Sequence, residues 1–198
     1  PKIYVMDADG GNVQVLIADP NPGQPAWSPD GRRIAFSGHE GPAFFTEDDL
    51  PIKEFGTEIY VVNVNGSNLT RLTRDHFENM FPTWSPDGKK IAFVSNRGGT
   101  PGDVGVLQIF TMNADGSDIK QMTKLQGQSQ RPTWSPDGQW IAFYFAAIRP
   151  VNESPDTNIF AVNMRNLKLF KIMSSENDEY SPAWRPINDS YFSAWRPK

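Results

Sequence analysis

Apolar residues occur along this chain in short consecutive runs, each closed by a turn signal. One class of run is Ile34-Ala35-Phe36, Ile91-Ala92-Phe93 and Ile141-Ala142-Phe143. A second class is Ile59-Tyr60-Val61-Val62, Ile109-Phe110-Thr111-Met112 and Ile159-Phe160-Ala161-Val162. Runs this short, rich in β-branched and aromatic residues, predict strands. Apolar side chains at consecutive positions predict sheets that are covered on both faces.

The turns between runs follow a fixed order. Trp-Ser-Pro-Asp-Gly precedes each first-class run, at Trp27–Gly31, Trp84–Gly88 and Trp134–Gly138. Proline presets φ in this pentapeptide, aspartate bonds nearby backbone, and glycine takes a positive φ. Asn65-Gly66, Asp115-Gly116 and Arg165-Asn166 follow the second-class runs, and Asn-Gly and Asp-Gly are strong hairpin signals. Each repeat therefore holds two hairpins, or four short antiparallel strands. The tryptophans recur at 27, 84, 134 and 184, spacings of 57, 50 and 50 residues. A period in that range marks a propeller, solenoid or array, and radially stacked four-stranded blades supply the double-faced burial.

The predicted fold is all-β: a four-bladed β-propeller of four-stranded antiparallel blades, forming one domain over residues 1–198. The chain opens on a second-class hairpin, Ile3-Tyr4-Val5-Met6-Asp7-Ala8-Asp9-Gly10, and closes on a degenerate first-class one beginning Pro182-Ala183-Trp184-Arg185-Pro186. Neither end holds a whole blade. The hairpin of residues 1–17 is expected to complete the blade of residues 180–198, shared between the two termini. That closure would remove an exposed sheet edge. The same halves could instead pair between molecules.

Pro-x-Trp-Ser-Pro-Asp-Gly-x-x-Ile-Ala-Phe, together with Ile109-Phe110-Thr111-Met112-Asn113-Ala114-Asp115-Gly116-Ser117, resembles the repeat of TolB-type β-propellers, the WD40-like or PD40 family. The resemblance covers nearly the whole chain. It implies a periplasmic or extracellular location, protein binding, and kinship with propellers that precede serine-peptidase domains. The chain differs in having four repeats rather than six and no preceding α/β domain.

Composition narrows the function classes. The net charge is −4 with 21% charged residues, so no basic groove for nucleic acid is expected. Cysteine is absent, which removes disulfides, thiolate metal sites and a cysteine nucleophile. No apolar stretch approaches membrane-span length. The start at Pro1 implies a removed leader or a processed or partial product. His39 and His76 stand on separate loops without a spaced metal partner, and Gly-x-Ser-x-Gly is absent. No catalytic residue, metal site or cofactor is therefore expected. The acidic pairs Asp48-Asp49 and Asp178-Glu179 read as solvated loops.

Loops between hairpins gather on one face of the disc and differ among repeats. The longest, residues 38–55, sets Phe44, Phe45 and Phe55 among acids, which suits a partner anchor or a loop tucked onto its own blade. Residues before the inner strands are placed at the channel mouth: Gln24, Glu78 with Asn79, Gln130 with Arg131, and Glu179 with Tyr180. Such a ring serves either a ligand or mere solvation.

The expected function is a non-catalytic scaffold for a protein or glycan partner in the envelope or extracellular space. Alternatives are a self-assembling subunit of a homo-oligomer or filament, and the propeller portion of a peptidase.

Overall fold

The computed structural model describes residues 1–18, 22–39, 56–75, 77–98, 105–148, 157–175 and 182–184. The described residues contain fourteen strands and no helix. A two-stranded hairpin comes first, β1 (Ile3–Val5) with β2 (Gln14–Ile17). Three antiparallel four-stranded sheets follow. The first comprises β3 (Gly23–Trp27), β4 (Arg33–Gly38), β5 (Glu58–Asn63) and β6 (Thr70–Arg71). The second comprises β7 (Asn79–Trp84), β8 (Lys90–Ser95), β9 (Gln108–Asn113) and β10 (Lys120–Gln121). The third comprises β11 (Gly127–Trp134), β12 (Trp140–Ala147), β13 (Thr157–Asn163) and β14 (Leu169–Ser175). In each, strands pair in chain order, the meander that two successive hairpins dictate.

The turns form as their residues require. Ser28 Oγ donates to Asp30 Oδ1 at 2.6 Å, the Asp30 carboxylate also accepts the Arg32 N–H at 3.1 Å, and Gly31 takes a φ of 67°. Ser85 and Asp87 repeat the bond at 2.6 Å, with Gly88 at 67°. These bonds to the ionised form hold the Asp30 and Asp87 carboxyls below the ordinary aspartate range. Each aspartate of these turns is thereby engaged in local structure.

Alternate residues of each strand face opposite neighbours, and the blades stack through them. Ile34, Phe36, Tyr60 and Val62 pack on Ile3 and Ile17 of the amino-terminal hairpin. Ala35, Ile59 and Val61 face the second blade, meeting Trp84, Ile91, Phe93, Phe110 and Met112. Ala92, Val94 and Ile109 face the third, meeting Trp134, Ile141, Phe143 and Phe145. The consecutive apolar runs are thus divided between two junctions. Within a blade, second- and third-strand aromatics lie side by side: Phe36–Tyr60 at 5.5 Å, Phe93–Phe110 at 6.0 Å and Phe143–Phe160 at 6.1 Å between centroids.

One hydrogen bond recurs at the three junctions that follow the first inner strand. The Trp84 indole N–H donates to the Ala26 carbonyl at 3.2 Å, Trp134 to Thr83 at 3.2 Å and Trp184 to Thr133 at 3.0 Å. Each acceptor is the residue just before the preceding blade's tryptophan. The relay ties successive inner strands and explains why the tryptophan is repeated. Of the carboxy-terminal hairpin expected to complete the first, only Pro182–Trp184 falls within the described residues.

Candidate functional site

The inner strands share an irregularity near their starts. Pairing shifts register between Gly23 and Ala26, between Met80 and Thr83, and between Gln130 and Thr133. At each bulge the residue before proline is left-handed: Gln24 at φ 52°, Phe81 at 52° and Arg131 at 51°. Non-glycine residues rarely adopt this conformation, which costs about 1–3 kcal/mol each. Bulges re-aim a side chain and cluster near functional sites.

The three re-aimed side chains form a continuous row across the inner strands. Gln24 Oε1 accepts the Phe81 N–H at 3.0 Å and the Ser37 hydroxyl at 2.8 Å. The Arg131 guanidinium lies 5.7 Å from the centre of the Phe81 ring. Gln24 and Arg131 are exposed, and Phe81 is half-buried. The row offers an amide, an aromatic face and a planar cation, a combination that suits a peptide segment with an apolar side chain beside a carboxylate or carbonyl.

A polar network lies at the junction of the first and second blades. Glu58 opens β5 and is buried at 2% exposure. Its carboxylate accepts from Arg71 at 2.7 Å, from the Asp75 N–H at 2.9 Å and from the Thr73 hydroxyl. Asn79, fully buried, donates to Asp75 at 2.9 Å and accepts from Arg97 at 2.7 Å, while Arg97 pairs with Asp75 at 3.0 Å. Burial lowers the Arg97 pKa, opposed by Asp75 and Glu58, and the guanidinium remains charged. Arg97 also covers the rings of Phe93 and Phe110 at 5.2 and 5.4 Å. Glu78 is tied in through Thr57 Oγ1 at 2.9 Å and through its N–H to Asn96 at 2.8 Å. The network fixes Thr73, Asp75 and Phe77 to Asn79 and, through them, the start of β7. At the next junction Gln108 takes the place of Glu58, accepting from Thr123 at 2.8 Å and donating to the Leu125 and Gly127 carbonyls at 3.1 and 3.0 Å. The first junction is therefore ionic and the second neutral.

The candidates read from sequence fall in different places. Gln24 and Arg131 stand in the row, Gln130 is half-buried in β11 beside it, and Glu78 and Asn79 belong to the network. Phe44, Phe45, Phe55, Glu179 and Tyr180 lie outside the described residues. Phe81, Glu58, Asp75 and Arg97 were not among the candidates. Phe81 had a signal, since it precedes Pro82 as Gln24 precedes Pro25 and Arg131 precedes Pro132. Among the described residues, no group of three or more His, Cys, Asp or Glu side chains could hold a metal ion. Nor is any helix among them long and apolar enough to cross a membrane.

Comparison with known proteins places this geometry in a larger set. A family model described as the TolB beta propeller domain matches residues 52–190. The Tol-Pal system protein TolB of Bordetella pertussis is 31% identical over 133 residues, covering 50% of this chain and 30% of that protein. Its counterpart in Francisella tularensis subsp. mediasiatica is 30% identical over 99 residues, covering 49% of this chain and 20% of that one. The chain thus spans less than a third of the curated relatives it matches. Among solved structures, a putative TolB from Agrobacterium tumefaciens superposes with a TM-score of 0.69 at 23% identity, covering 92% of this chain and 61% of that one. An oligogalacturonate lyase in complex with manganese superposes at 0.62 with 15% identity, covering 90% and 49%. At these identities both structures speak to fold alone.

Proposed function

This chain belongs to the TolB β-propeller domain family, and from that premise we propose that it is a non-catalytic scaffold which binds a protein partner in the bacterial cell envelope. The observation that carries the reading is the row of Gln24, Phe81 and Arg131, held at three strained, equivalent bulges. A fold that maintains left-handed backbone before three successive prolines spends stability on where those side chains point. The relatives are named for the Tol-Pal system, so the partner class proposed for this chain is a Tol or Pal protein of that system, in the periplasm.

Binding of the purified chain to the Tol and Pal proteins of its source, measured by surface plasmon resonance, tests the proposal. Arg131→Glu and Phe81→Ala are expected to weaken the complex at least tenfold, while Lys89→Glu, in the exposed turn that joins β7 to β8 at the opposite strand ends, leaves it unchanged. Binding that is indifferent to Arg131→Glu and Phe81→Ala together would remove the row from the interface. A glycan array run beside it separates a protein partner from a carbohydrate one.

A further inference from the structure

The row of Gln24, Phe81 and Arg131 has spent its acceptor and kept its donors. Gln24 Oε1 takes two protons, from the Phe81 N–H at 3.0 Å and from the Ser37 hydroxyl at 2.8 Å. A backbone N–H can only donate, so the atom that meets it is the amide oxygen, and the Gln24 nitrogen is left to donate in turn. The Phe81 N–H reaches across to the first blade because Phe81 falls in the register shift between Met80 and Thr83 and does not pair with β8. Arg131 falls in the same shift between Gln130 and Thr133, at a φ of 51° against 52° for Phe81, so its N–H leaves the ladder in the same way. What meets it differs. In the place of Gln24 the preceding blade now holds Phe81, a ring with no acceptor.

The charge of Arg131 is open as well. Arg71 and Arg97 are paired with Glu58 and Asp75 at 2.7 and 3.0 Å, whereas no acid among the described residues pairs with the exposed Arg131, whose guanidinium lies 5.7 Å from the centre of the Phe81 ring. A main-chain N–H and a planar cation on one residue, beside an aromatic face, match a carboxylate: its two oxygens accept both kinds of donor and its charge answers the guanidinium. A neutral carbonyl would satisfy the N–H alone. On the reading of the row as the binding surface, on which this rests, we propose that the partner places a carboxylate at Arg131. One of its oxygens accepts the Arg131 N–H, as Gln24 Oε1 accepts the Phe81 N–H one blade earlier, the guanidinium donates to the other, and an adjoining apolar side chain covers Phe81.

Three small probes test this on the full chain, with the Arg131 N–H and side-chain signals followed by nuclear magnetic resonance. They are acetyl-Asp-Leu-amide, acetyl-Leu with its free carboxylate, and acetyl-Leu-amide. The Arg131 signals are expected to move saturably with at least one acidic probe, the first reporting a side-chain carboxylate and the second a chain-terminal one, and at least tenfold less with the amide. Arg131→Gln, which keeps the main-chain N–H, should weaken the acidic probe at least tenfold. Phe81→Gln supplies the missing acceptor from within. Hydrogen exchange at the Arg131 N–H, faster than at the Phe81 N–H in the wild type, should then slow at least tenfold, and the acidic probe should lose its effect. Equal responses to the amide and the acidic probes, or a wild-type Arg131 N–H as protected as that of Phe81, would overturn the proposal. So would binding of a Tol or Pal protein that depends on the row while no acidic probe moves Arg131, a result that leaves the row as the interface. Acidic probes that act at Arg131 where no Tol or Pal protein binds would uphold the carboxylate site and remove the partner class instead.

Discussion

Replacing Trp84 by alanine breaks a junction at its most concentrated point. The ring is 7% exposed and packed among Ala35, Ile59, Val61 and Phe93, its N–H meets the Ala26 carbonyl at 3.2 Å, and the Arg33 guanidinium lies 4.6 Å from its centre. Losing a buried tryptophan costs about 3–5 kcal/mol, a value that already includes the cavity. The lost hydrogen bond and cation–π contact place the cost in the upper part of that range. For a domain of this size each kcal/mol moves Tm by about 2–4 °C, so Trp84→Ala should lower Tm by roughly 8–20 °C. Trp27→Ala provides the matched control. The same residue type in the same motif is 53% exposed, and its removal from dilute protein should cost less than about 1 kcal/mol. Urea unfolding followed by far-UV circular dichroism measures both. Equal losses for the two variants would refute the claim that the tryptophans act through the blade junction. Because stacked repeats can unfold in steps, the comparison rests on the first transition of each variant.

Glu58→Ala should destabilise by about 3–5 kcal/mol, because Arg71 and Arg97 lose a buried counter-charge; Glu58→Gln, which copies the neutral Gln108 junction, should cost less in the same urea titration. Gly116 has a φ of 89°, and an added Cβ would lie 2.9 Å from the Leu72 carbonyl oxygen. Gly116→Ala should therefore exceed the ~1–2 kcal/mol of left-handed backbone alone that Gly31→Ala, facing open space at φ 67°, should show. Hydrogen bonds from Ser85 and the Lys89 N–H lower the folded pKa of Asp87, so its contribution is complete above the unfolded value of about 3.9 and fades as pH falls through the folded one. The stability gap between wild type and Asp87→Asn should accordingly be constant above about pH 5 and shrink below it, and a gap that persists in acid would contradict the assignment.

The repeat was legible because each of its residues has a local duty. Proline, aspartate and glycine shape the Ser-Pro-Asp-Gly turn through bonds no longer than a few residues, and the spacing of tryptophans reports blade size directly. The double-faced burial of Ile34-Ala35-Phe36 was legible for the same reason, since alternation fails only when both faces are covered. The site was less so. Its left-handed residues are Gln24, Phe81 and Arg131 rather than glycine, and a proline that follows disfavours helical backbone without announcing a positive φ. The Glu58 network was hidden because its members, 58, 71, 73, 75, 79 and 97, come from two blades and meet only once the blades stack. Nothing in their sequence spacing predicts that meeting.

The joining of successive blades by one tryptophan is tested most directly by solvent exchange of the indole N–H groups, read by nuclear magnetic resonance on indole-labelled protein at a dilution where it is monomeric. The Trp84 and Trp134 indole protons should exchange at least a hundredfold more slowly than that of Trp27. Rates within a factor of a few of one another would contradict the stacking of blades through this contact.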